Sequence, residues 1–116
     1  MYKLKTEHTI YASHYLKDQG GKCMKLHGHE YKIILELHKK ELDYKNMVID
    51  THRVNQLFNE FIGSDHLDLN IFLDTDNPTM EYMAEHFYYN MKQVLPCLYS
   101  VTVYETRDSC VTYCEG

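Results

Sequence analysis

The chain has 116 residues, of which 44% are hydrophobic and 25% charged, with a formal net charge of -5 when histidines are neutral. That length fits one domain, residues 1–116, with the composition of a folded globular protein and not of a disordered tail. The acidic balance argues against a broad nucleic-acid surface; no apolar run approaches the roughly 18 residues of a membrane span, and the opening MYKLKTEHTI has no apolar signal core, so a cytoplasmic address is expected.

From Tyr2 to Leu16 the even positions read Tyr, Leu, Thr, His, Ile, Ala, His, Leu against a more polar odd series, and this two-residue period predicts a strand. A polar loop ends at Gly20 and Gly21. From His27 to Leu37 the odd positions read His, His, Tyr, Ile, Leu, Leu, predicting a second strand antiparallel to the first. Val54, Leu57, Phe58, Phe61 and Ile62 then fall at the three-and-four spacing of an amphipathic helix, capped by Asp50 or Thr51 and ended by Gly63. GSDHLDLN reads as a loop. A second helix is predicted from Asn77-Pro78, a cap residue followed by proline at the first helical position, with Met80, Met83, Ala84, Phe87, Tyr88 and Met91 on one face. Pro96 closes the helical region; CLYSVTVYET and CVTYC follow as strands around an RDS turn. The expected fold is α+β, in the order ββααββ: a four-stranded antiparallel sheet with two helices on one face. Its bare face and edge strands call for oligomerisation.

Eight histidines are many for so short a chain. Residues two apart on a strand share a side at roughly 6.5 to 7 Å, so His27 and His29 can converge on one ion, with Gly28 between them allowing close approach to the backbone. A hairpin would bring His14 opposite that pair. Three imidazoles and one open position make a catalytic zinc pattern, whereas a single histidine on an apolar strand face is more often a hydrogen-bonded core residue. His8, His38, His52 and His86 read as structural or solvent-facing.

Cys23, close to such an ion, would gain thiolate character and serve as a base, or it would complete a closed structural site with the three histidines. Asp65 beside His66 can hold an imidazole in one tautomer, or simply form a solvated turn. Glu105 shares parity with Val101 and Val103, which sets a carboxylate at the end of an apolar face, where parallel N–H donors on a ring edge would suit it. Thr79 can offer a contact at the mouth of the second helix or cap it. All four cysteines, Cys23, Cys97, Cys110 and Cys114, read as thiols in a chain that has no need of disulfides.

YASH at 11–14, CMKLHGH at 23–29, SDHLDLN at 64–70, PTME at 78–81 and VYE at 103–105 together resemble the 6-pyruvoyl-tetrahydropterin synthase superfamily, in family order and across nearly the whole chain. The resemblance implies the tunnelling fold, in which subunits form a barrel around a central tunnel, commonly as trimers stacked into a hexamer. By the same resemblance His14, His27 and His29 match zinc ligands, Cys23 the catalytic base, Asp65 and His66 the rest of the proton relay, Glu105 the pterin anchor and Thr79 a pterin contact. The implied substrate is 7,8-dihydroneopterin triphosphate, whose phosphates need cationic contacts; Lys22, beside Cys23, is the candidate for one, or equally a solvated loop lysine. The three residues between Cys23 and His27 resemble the bacterial 6-carboxytetrahydropterin synthases of the queuosine and 7-deazaguanine pathway, while pyruvoyl-forming members carry a longer insert there. The alternatives to a carboxy-forming lyase are the pyruvoyl-forming activity and a non-catalytic zinc protein.

Overall fold

Two thirteen-residue strands, β1 (Tyr2–His14) and β2 (His27–Lys39), pair antiparallel along their full length, from Tyr2 opposite Lys39 to His14 opposite His27. The computed structural model describes residues 1–17 and 27–116, His27 by its backbone alone; Lys22 and Cys23 lie outside the described residues. The chain continues through α1 (Thr51–Ile62), β3 (His66–Asp68), α2 (Leu69–Phe72), α3 (Met80–Val94), β4 (Leu98–Thr106) and β5 (Ser109–Tyr113).

Alternation decides the faces. Ile10, Ala12 and His14 of β1 and Tyr31, Ile33, Leu35 and Leu37 of β2 are buried, as are Val101 and Val103 of β4. These pack beneath Val54 and Phe58 of α1 and Met83, Ala84, Phe87 and Met91 of α3 in one hydrophobic cluster. Burying each such large side chain contributes about 1.5–3 kcal/mol. Phe87 receives Phe58 and Phe61 edge-on at 6.4 and 5.5 Å between ring centroids, the geometry aromatic quadrupoles favour. The other sheet face, with Glu7, Thr9, Tyr11, Glu30, Lys32 and Cys110, stays exposed.

Three sequence expectations need correction. The sheet has five strands in the order β3-β1-β2-β4-β5, not four, and it is mixed, because β3 runs parallel to β1 through Tyr11–His66, Ala12–Leu67 and Ser13–Asp68. Three residues are too few to display a strand period, so this one looked like loop. The four-residue α2 lies in the same stretch and adds a third helix; the Asp68 side chain caps it by accepting from Ile71 N at 3.3 Å. Finally, α3 begins two residues later than Asn77-Pro78 predicts, because Thr79 is its cap, Oγ1 accepting from Tyr82 N at 3.2 Å.

The expected ends of α1 hold. Asp50 accepts from His52 N at 2.9 Å, and Gly63 takes the left-handed conformation at φ 70°, where its N–H reaches Asn59 O. Cys97, Cys110 and Cys114 are free thiols. No helix among the described residues is long and apolar enough to cross a membrane.

Candidate metal centre

Hairpin register carries the last residue of β1 to the first residues of β2: His14 pairs with His27, and Ala12 with His29. The imidazole of His14 is 2% exposed on the helix-facing side. It stacks on His29 with 5.5 Å between centroids and 22° between planes. The β2–β4 ladder reaches Lys32–Tyr104, and Glu105 is the next residue along β4, on the same side as Val103. Its Oε1 lies 3.0 Å from His29 Nε2, and both side chains keep a little over a quarter of their surface exposed.

One ligand atom from each of His14, His29 and Glu105 lies within 4.8 Å of the others. Ligands of a tetrahedral zinc with bonds near 2.0–2.1 Å sit about 3.4 Å from one another, so modest side-chain rotations would close this group on such an ion. Imidazole nitrogen with carboxylate oxygen is also a donor set that zinc accepts.

Beneath the two imidazoles lies Tyr31, fully buried, its hydroxyl 2.7 Å from His14 Nδ1. Burial, and then the charge of Glu105, push the phenol well above its ordinary pKa of 10.0, so it stays a neutral hydroxyl. The sequence places Tyr31 in the same odd series as His27 and His29 but assigns it no part in the site. That parity was the available signal.

Just past His14 the chain is riveted. Asn70 accepts from Tyr15 N at 3.0 Å and donates to the carbonyls of Tyr15 and Thr75, each at 3.1 Å. Lys17 N donates to Asp76 O at 3.2 Å. The end of β1 is thereby fixed to the loop that follows α2, so part of the SDHLDLN motif is structural. Gly28 faces the open side, and a Cβ there would come only to 3.9 Å from Ala12 O, so packing among the described residues does not require glycine.

The other sequence candidates are distributed differently. Leu67 and its partner Ala12 are both buried, so His66 and Asp68 on either side of Leu67 point to the opposite face from His14. His66 Nε2 lies 3.4 Å from Ser13 Oγ, and exposed Asp65 lines a groove of about 640 Å³ between β1 and α1. Within one chain the His66 side chain therefore points away from the histidine cluster. Thr79 is engaged as the cap of α3. Glu105 also borders a pocket of about 370 Å³ lined by Glu7, Glu30, Lys32, Tyr104 and Arg107, which opens on the exposed face of the sheet, opposite the helix-facing side of His14.

The sequence pattern of the family described as 6-pyruvoyl tetrahydropterin synthase matches residues 3–116. A 6-carboxy-5,6,7,8-tetrahydropterin synthase of Synechocystis is 28% identical over 97% of this chain and 93% of its own. The human 6-pyruvoyl tetrahydrobiopterin synthase is 32% identical over 91% of this chain and 82% of its own. Among solved structures, the Caenorhabditis elegans 6-pyruvoyl tetrahydropterin synthase superposes with a TM-score of 0.87 at 25% identity, covering 99% of this chain and 96% of that one.

Proposed function

The chain belongs to the 6-pyruvoyl tetrahydropterin synthase family, and from that premise we propose that it is a zinc-dependent lyase that converts 7,8-dihydroneopterin triphosphate to 6-carboxytetrahydropterin, releasing acetaldehyde and triphosphate. The observation that carries this reading is the convergence of His14, His29 and Glu105 at the end of the hairpin, a set of side chains that could hold a metal ion.

His14, His27 and His29 would hold the zinc, His27 entering from its backbone position opposite His14. The ion would supply a Lewis acid that makes the hydroxyls of the substrate side chain more acidic. Glu105 lies 3.0 Å from His29 in the cluster, where its oxygens can accept paired N–H donors from the pterin ring edge. Cys23 would act as base, with Asp65 and His66 completing proton transfer. Because His66 faces the other side of its own sheet from His14, the pair would serve the site of a neighbouring copy. Thr79 would contact the pterin through the hydroxyl proton that capping leaves available. Lys22 would meet the triphosphate.

Three residues between Cys23 and His27 favour the carboxy-forming activity and a place in queuosine biosynthesis. The 32% identity to the human enzyme favours the second reading, elimination of triphosphate to the 6-pyruvoyl product. Mass spectrometry on metal-loaded protein given dihydroneopterin triphosphate separates them: 6-carboxytetrahydropterin with acetaldehyde supports the first, pyruvoyl product alone the second. Cys23→Ala divides both from a structural zinc protein. Retained zinc with lost turnover supports catalysis, while loss of zinc with unfolding makes the cysteine a fourth ligand.

A further inference from the structure

A neutral imidazole offers one lone pair to a cation, and the bond made by its other nitrogen decides which atom that is. His14 is buried, so water cannot make that bond in place of the protein. Tyr31 makes it, through the 2.7 Å contact between its hydroxyl and Nδ1.

The placement follows from the strand. Tyr31 comes two residues after His29, so the strand period puts the phenol on the same side of β2 as that imidazole. Its ring meets His29 nearly edge-on, with 5.6 Å between centroids and 65° between planes, and is tilted 43° to His14 at 6.1 Å. It therefore touches both imidazoles while bonding one. A tyrosine hydroxyl can donate or accept, so it can receive a proton held on Nδ1 when Nε2 gives its lone pair to a metal. We propose that Tyr31 is a positioning residue: by engaging Nδ1 it assigns Nε2 of His14 to the metal and fixes the ring plane in which that lone pair points. This inference rests on the metal-centre reading given above. Phenylalanine at 31 would keep the packing and lose only this bond.

Tyr31→Phe should lower zinc affinity about 10- to 100-fold, the range for an outer-shell partner of a metal ligand, as measured by competition with a chromophoric chelator. The cobalt-substituted protein should also change its ligand-field spectrum. Tyr88→Phe, at a 4% exposed tyrosine on α3, should leave both readouts at wild-type values. If Tyr31→Phe fails to fold, long-range ¹⁵N spectra of zinc-loaded wild type decide the matter: zinc on Nε2 of His14 with a proton on Nδ1 is expected, and zinc on Nδ1 overturns the proposal. Wild type that takes up no zinc removes the site reading and this inference together. Wild type that binds, with Tyr31→Phe binding as tightly, overturns this inference alone.

Discussion

Glu105 is the residue whose two roles are hardest to separate by inspection. Its carboxylate touches His29 at 3.0 Å and also borders the neighbouring pocket, so it can act as metal ligand or as substrate anchor. Glu105→Gln keeps the size and removes the charge. If the residue anchors the pterin, kcat/KM should fall about 10- to 100-fold, the loss of a hydrogen bond to a charged group, with zinc content per chain unchanged. A parallel loss of zinc, measured by atomic emission, would make it a ligand instead. The sequence could place this carboxylate on an apolar strand face by parity alone. It could not place the carboxylate beside His29, because that depends on where the β2–β4 ladder stops.

At the scale of elements, caps and buried side chains carry the argument. Thr79 closes the first turn of α3, so Thr79→Ala should cost about 1 kcal/mol in urea unfolding, and Thr79→Ser should restore most of it. The second test belongs to β1. His8 is buried, stacked on Phe58 with 4.3 Å between centroids, and 2.8 Å from Thr6 Oγ1. Burial holds its pKa below the ordinary 6.5, although the charge of Glu7 pulls the other way. Below about pH 6.5 the unfolded chain therefore takes up a proton that the folded chain resists, and stability falls as pH drops toward the depressed folded value. His86, lowered by burial, adds a slope of the same sign. Metal-free wild type should lose stability between about pH 7.5 and about pH 5.5, and His8→Gln, with no proton to gain there, should lose less. Equal losses in the two proteins would remove His8 as a source. Helix α1 was legible to its last residue because an Asp cap, a five-residue apolar stripe and a terminal glycine agree. Strand β3 was not, since its pairing with Tyr11–Ser13 joins segments more than fifty positions apart.

The whole molecule is elongated, with principal extents of 53 × 28 × 24 Å and a radius of gyration of 15.1 Å, against about 13 Å for a compact globule of this length. Two long strands project one sheet face and two edges without covering them. Along β1, β3 pairs only with Tyr11 to Ser13, and β5 ends the sheet at the other side. Exposed edges of this length invite pairing with another chain. Self-association is therefore expected, and the assembly that the family resemblance implies predicts a trimer or a multiple of three in multi-angle light scattering. A species at the 13.9 kDa of one chain, stable on dilution and active, would count against both the assembly and the assignment of Asp65-His66 to a neighbouring site.

What the sequence determined by itself is whatever local periodicity and spacing encode: the hairpin strands, the two longer helices with their apolar faces, and the parity that gathers His14, His29, Tyr31 and Glu105 on one side. The hairpin reading also set His14 opposite the HGH segment, and the β1–β2 register pairs it with His27. Tertiary structure alone decided the other meetings: the end of the β4 ladder brought Glu105 to His29, and the β1–β3 pairing turned His66 to the opposite face. The physical reason is that side-chain direction repeats every two residues along a strand, whereas the distance between strands depends on pairings that close over long stretches of chain.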